Sequence, residues 1–531
     1  MKVTRSLSYA RKLLIVPALT LMLVASACAS VGAPASGSPA AAAAGGTVRV
    51  AITIDAGALD ARLMADTAAY RVVDLVYDGL VYLDGKLTPQ PALAEKWSNP
   101  EPNSWVFNLR KGVKWHDGVD FTADDVVYTF TSILDPNFKS PQRSLYAAIT
   151  KVEAIDPNTV KFTTDGAYAP MLKYLDIGIV PKHIGEKNDG SLNTNPIGTG
   201  PFKFVSRTKN AKLEFAANKS WWGGAPKLDK VEFVIIPDTT NEVNALIAGD
   251  VDIVEAPIFA QEIPRLRDDK NITFTVYNGI AITYLNFNVS DPLMSDVRIR
   301  RAIASLVDRD TISKTIYQGI DSPAQSILAP ISFAYTKDIT GPLFDQTKAA
   351  AYLTDAGYKL EGGAWMKDGN QLTITLNTQS DDSSRVQTAE YLQNVFAKFG
   401  IKTNVSLVEF GTFLANTSSG KYQIALIGWN TVGLDPDKFY PMFTKGGSSN
   451  WGKYDDARVA KLMADGRAEI DQAKRTAIYQ QVAKTVADDV IYHVLQYQGN
   501  SIAIRNNVQG FEFNGKTPMA VRSLYKVFLA K

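Results

Sequence analysis

A mixed α/β fold is predicted for this chain, and three features of the sequence predict it. Short runs that alternate apolar and polar residues, the strand period, are interleaved with stretches carrying the helical period. Glycine and proline punctuate the boundaries between them. No apolar run long enough to span a bilayer follows residue 25, and no repeat of about 20–50 residues is present, so membrane-embedded and solenoid architectures do not fit. At about 100–200 residues per domain, the 531 residues suggest two to four domains.

The elements follow in order. GGTVRVAITID, Gly45 to Asp55, alternates as a first strand, and AAYRVVDLVYDGLVYLD, from Ala68, reads as a helix running into a turn at Asp78-Gly79. Trp105, Phe107 and Leu109 share one strand face. His116-Asp117-Gly118 makes a tight turn, because glycine tolerates positive φ. Thr122, with Asp125 three residues on, resembles a capping box opening a helix through Tyr128 and Ile133. A hairpin bends at Asp156-Pro157-Asn158. Glycine- and proline-punctuated strand occupies Asn195 to Asp238, with Trp221-Trp222 in a structural loop. A helix stopped by Gly249 and a short strand come next. An amphipathic helix pair covers Ser295 to Gly319. Strands at Leu372–Ser380 and Ile401–Phe410 enclose a helix around Gln387 to Phe399, and a last helix near Lys474–Ala487 precedes two C-terminal strands.

The first residues set the compartment. Lys2, Arg5, Arg11 and Lys12 precede Leu13–Ala25, an apolar run of 13 residues, shorter than the roughly 20 of a membrane span and typical of a secretory signal. It ends in Ala25-Ser26-Ala27-Cys28, which resembles a bacterial lipobox and implies lipid attachment at Cys28, the single cysteine. Ala25 stands where that motif usually has leucine, so cleavage without lipidation is the alternative. The small, uncharged stretch after Cys28 reads as a flexible tether. Removing the leader with its four basic residues takes the formal charge from +2 to −2, so the body lacks the basic footprint of a nucleic-acid binder.

Catalytic motifs are missing. There is no phosphate loop, no GxSxG elbow and no GxGxxG after a strand. His116, His183 and His493 lie too far apart for a short metal motif, and no cofactor is expected. Neighbouring acids such as Asp124/Asp125 and Asp435/Asp437 fit helix starts and solvated faces better than a glycosidase pair facing across a cleft. The expectation is a protein that is not an enzyme.

Six segments carry a family resemblance: PALAEKW (91–97), NLRKGVKWHDGVDFTADDVVYTF (108–130), NPIGTGPFKF (195–204), ALIAGDVDI (245–253), DVRIRRAIASLVDRDTI (296–312) and IGWNTVGLDPDKFY (427–440). In this order they resemble the oligopeptide/dipeptide-binding family of extracytoplasmic solute-binding proteins of ABC importers. The resemblance implies an α/β, two-lobed periplasmic-binding-protein-like fold of type II, in its large three-subdomain form, with a hinge and an interlobe ligand cleft. It implies a signal peptide at 1–27, a tether at 28–45 and a discontinuous subdomain I at 46–85, 180–275 and 495–531. Subdomain II, a small insertion, takes 86–179, and subdomain III, the opposite lobe, 276–494. It further implies a monomer working with an ABC permease and ATPase and held at the membrane only by its lipid. The implied ligand is a di- or oligopeptide. A sensory role through a membrane receptor is the alternative of a different class.

The same resemblance supplies site residues. Trp429 is implied to pack on the ligand, with the backbone of Gly428 and Asn430 beside it. In well-known peptide binders an aspartate three residues after the tryptophan pairs with the peptide's α-ammonium, and here that position is Val432. Asp435 is therefore either a substitute anchor or the structural start of a turn with Pro436. The apolar replacement opens a second ligand class, an oligosaccharide or metal chelate. Tyr284, Asn286, Tyr492, Tyr497 and Gln498 supply aromatic faces and amides suited to neutral polar ligands. Asp66, Thr67 and Tyr146 fall where other ligand-contacting segments of the family lie.

Overall fold

The computed structural model describes residues 42–43, 45–255, 258, 260–339, 341–429, 434–513, 516 and 521–530. Strand β1 (Thr47–Ile52) is followed by α1 (Thr67–Val76), then β2 (Phe202–Thr208), β3 (Lys212–Ala217) and β4 (Lys230–Ile235). Helix α2 (Thr239–Ala248) ends where Gly249 turns left-handed at φ 86°, and β5 (Ile253–Glu255) follows. Next come β6 (Ile272–Phe287), α3 (Arg309–Thr315), β7 (Thr373–Gln379), α4 (Ser383–Lys398) and β8 (Lys402–Val408). The series closes with α5 (Phe410–Ser418), β9 (Ile424–Trp429), α6 (Ala457–Ala468), α7 (Gln472–Asp489) and β10 (Tyr492–Arg505).

These strands form one sheet in the order β8-β7-β9-β6-β10-β5-β1-β4-β3-β2. It has two parallel groups, β7 with β8 and β9, and β1 with β4 and β5. The long antiparallel pair β6/β10 joins them. Residues 272–278 of β6 pair with 499–505 on the β5 side, and 282–286 pair with 492–497 on the β9 side. The ladder slips between Asn278 and Ile282, and glycines stand at the slip for lack of room. A Cβ on Gly499 would lie 2.0 Å from the Ile320 carbonyl oxygen, and one on Gly279 2.7 Å from that of Gln498. This crossing divides lobe 1, the β1 side, from lobe 2, the β9 side.

Lobe 1 is held by a core that includes Val50, Leu75, Phe107, Phe130 and Phe233, with a smaller core around Val243 and Leu246. An antiparallel sheet of Ala94–Glu101, Ser104–Leu109, Thr159–Thr164 and Ile149–Asp156 shares the larger core with the helix Ala123–Leu134. That helix opens on the Thr122/Asp125 capping box. In lobe 2, β6 sends Ile282 and Tyr284 into one core and Leu285 and Phe287 into another, as the strand period requires. Trp221 and Trp222 hold their loop by donating both indole N–H groups to the buried Asp78.

Strand β6 has no counterpart among the strands predicted from sequence. Gly279 interrupts it, and from Ile280 to Phe287 every residue is buried, so no alternation marks it. The C-terminal pair of strands is instead one 14-residue strand, β10, with short pieces at Val508–Gln509 and Phe528–Ala530.

Candidate ligand-binding site

The parallel strands β7, β8 and β9 end on the same edge of lobe 2, at Gln379, Val408 and Trp429. Helices α4 and α5 begin there, capped by Asp382 and Glu409. Ligands of α/β sheets bind outside such carboxyl ends. Here the edge adjoins the β6/β10 crossing, because Gly428 and Trp429 pair with Thr283 and Ile282 of β6.

Gly428 is the tightest position. A Cβ there would come to 2.3 Å from Arg385 Nη2 and 2.8 Å from Gln498 Nε2, so only glycine lets both side chains lie over the strand end. Arg385 Nη1 donates to Gln379 Oε1 at 2.7 Å, and its Nε lies 3.3 Å from Asp382 Oδ2. Gln498 Nε2 donates to Thr283 Oγ1 at 3.0 Å. Trp429 is half-buried, its ring edge-on to Trp451 with centroids 5.6 Å apart. Phe410, at the start of α5, is 42 % exposed on the same edge.

Of the residues proposed from sequence, Gly428, Trp429 and Gln498 are thus brought together. Asn430, Val432 and Cys28 lie outside the described residues, as do the signal peptide and most of the tether. Others are committed to the interior. Tyr284 stacks on Tyr492 at 4.3 Å, and Asn286 beside them is fully buried. Tyr497 is buried and its hydroxyl accepts the Ser326 amide. Tyr146 is buried and donates its hydroxyl to the Tyr174 carbonyl at 2.7 Å; burial pushes that hydroxyl well above its ordinary value. Asp66 caps α1, accepting the Ala69 amide at 2.8 Å and that of Gly57 at 3.0 Å. Thr67, in the first turn of α1, is partly exposed.

Asp435 is corrected as an anchor for a ligand amine. It is fully buried, and its two oxygens accept Arg475 Nη2 and Nη1 at 2.7 and 2.8 Å. It also caps the turn Pro436–Phe439 through the Asp437 amide at 2.9 Å. Burial alone would raise its carboxyl, but Arg475 holds it below the ordinary carboxylate value. The Asp435-Pro436-Asp437 turn is a joint between lobes. Asp437 is bridged twice by Arg467, at 2.8 and 3.0 Å, and the Arg467 carbonyl accepts the Ala169 amide of lobe 1 at 2.9 Å. Lys438 Nζ lies 4.8 Å from the centre of the Tyr174 ring, and Lys173 Nζ 5.3 Å from that of Phe333.

Residues 88–451 match the family described as "Bacterial extracellular solute-binding proteins, family 5 Middle". The chain belongs to this family. It is 29% identical over 491 residues to the oligopeptide-binding protein AppA of Bacillus subtilis (strain 168), covering 87% of each chain. To the heme-binding protein A of Haemophilus influenzae it is 26% identical over 468 residues, covering 82% of this chain and 84% of that one. Among solved structures, the ABC transporter substrate binding protein CtaP of Listeria monocytogenes superposes with a TM-score of 0.82 at 25% identity, over 92% of this chain and all of that one. A family 5 binding protein works outside the cytoplasm and binds its solute without converting it.

For this binding protein, sequence reasoning missed Arg385, Phe410 and the interlobe partners of the Asp435 turn. Arg385 carried one usable signal. It lies just inside a helix that begins four residues after a strand ends, in the βα turn where α/β sheets place ligand contacts.

Proposed function

We propose that this family 5 protein is a lipoprotein that captures a short peptide or peptide-like carboxylate between its lobes and delivers it to an ABC import permease and ATPase. The observation that carries the ligand class is Arg385 lying over Gly428 at the carboxyl end of β9. A guanidinium fixed there by Gln379 and Asp382 suits a carboxylate, which it meets in planar geometry. The names of relatives such as AppA support a peptide, and that of the heme-binding protein A shows how far ligands range within the family. At the amine end the usual acid is Val432 by sequence, and Asp435 is engaged by Arg475. The ligand is therefore held through its acidic end rather than through an ammonium group. Ala25-Ser26-Ala27-Cys28 supports lipid attachment at Cys28.

The test is to purify the protein without denaturation, identify carried ligand by native mass spectrometry, and titrate peptides blocked at either end. Short peptides released from the protein, with binding that survives N-acetylation but not C-amidation, would support this reading. Binding that requires the free amine, or release of a ligand without a carboxylate, overturns it.

A further inference from the structure

The strands that join the lobes cross where Gly499 meets Ile320, and one carboxylate sits on that crossing. Asp321 is 6 % exposed, and its Oδ1 accepts the Gly499 amide at 3.0 Å. Its own carbonyl accepts the Ser313 hydroxyl of α3 at 2.5 Å. The next residues, Ser322–Pro323, pair with Tyr497 and Gln496 of β10, so Asp321 is tied to β10 both by its side chain and through the chain that follows. The groups facing it are Arg385 and Asp382 at the start of α4 and the Tyr317 hydroxyl from the turn after α3. An asparagine would accept the same amide, so an ionisable group is more than this bond requires.

We propose that Asp321 is a positioning residue of the hinge, holding the Gly499 amide firmly when ionised and loosely when protonated, so that the stiffness of the crossing follows the proton. The geometry gives the reason. Gly499 is crowded on one side by the Ile320 carbonyl, pairs with Asn278 at the end of its ladder with β6, and donates its amide to Asp321, and a carboxylate accepts more strongly than a carboxylic acid. Burial pushes the Asp321 carboxyl up to about 7; the Gly499 amide and Arg385 oppose the rise and Asp382 adds to it. The change of state therefore falls near neutral pH. A ligand carboxylate on Arg385 would weaken the field that favours ionised Asp321, so capture and proton uptake are coupled. That coupling rests on the ligand reading above, whereas the hinge role does not.

The experiment needs no ligand, so its failure and the failure of the ligand reading are distinguishable. Amide exchange of the purified protein is followed at Gly499, with Leu495 of the same strand as internal reference and each rate normalised to its intrinsic value. The expected result is that Gly499 protection relative to Leu495 rises about fivefold from about pH 5.5 to about pH 8.5 in the native chain, and stays level in Asp321→Asn. A flat native profile, or the same rise in the variant, overturns the proposal. Should the variant not fold, the native profile alone decides.

Discussion

Arg475 grips Asp435 through both Nη atoms, at 2.8 and 2.7 Å, with the two side chains 4 % and 0 % exposed. A pair buried this completely stabilises little beyond its own desolvation, but breaking it strands a charge. Asp435→Asn should therefore cost about 3 kcal/mol of stability, read by chemical denaturation, while the folded protein keeps its ligand affinity. A ligand anchor would behave in the opposite way, losing affinity with stability unchanged.

Gly428→Ala tests the site from its other end. The new Cβ would sit 2.3 Å from Arg385 Nη2, and the far end of a flexible side chain is what must give. Arg385 moves off the strand end, and the ligand loses its charged partner. Affinity should fall about tenfold or more, equivalent to about 1.4 kcal/mol, with the melting temperature nearly unchanged. Calorimetric titration with whichever ligand is carried through purification reads the effect, and an equal loss of affinity in Arg385→Gln would tie it to the guanidinium.

Local chemistry made most of the fold legible. The capping box at Thr122/Asp125, the stop at Gly249 and the alternating face of Trp105, Phe107 and Leu109 each follow from a few neighbouring residues. The crossing strands did not show themselves, because a strand buried on both faces loses its alternation and Gly279 breaks the run. At the site, sequence found the strand end at Gly428 and Trp429 but not Arg385, which reaches it from a helix 43 residues earlier. The polar groups of Tyr284, Asn286 and Tyr497 looked equally fit for a cleft or a core. Only the strand register, which turns Tyr284 onto Tyr492, decides between them.

The contact between lobes can be measured directly. Lys438 Nζ lies over the Tyr174 ring at 4.8 Å, and the two residues belong to opposite lobes. A double-mutant cycle with Lys438→Met and Tyr174→Leu should give a coupling of about 1 kcal/mol in unfolding free energy. Independent, additive effects would show that the ammonium and the ring merely lie near one another.

Lobe 1 also carries a buried acid pair whose protonation makes stability depend on pH. Burial pushes Glu242 up to about 8, against the pull of Arg71 and with Asp238 and Glu255 adding to the rise. Burial pushes Glu255 up to about 7 although Arg71 Nη2 lies 2.9 Å from its Oε2. Each group keeps its proton in the folded protein at a pH where the unfolded chain has released it. Their contribution is thus full below the ordinary carboxylate range and is lost as pH rises through about 7 and then about 8. Glu242→Gln keeps the size of the side chain and removes the titration. The variant should match the native protein near about pH 5 and exceed it by about 2 kcal/mol near about pH 8.5, as followed by urea denaturation across that range. Glu255→Gln should not gain in this way, because it leaves the buried Arg71 guanidinium without the carboxylate that Glu255 becomes at high pH. Equal pH profiles for the native protein and Glu242→Gln would show that Glu242 does not titrate in this window.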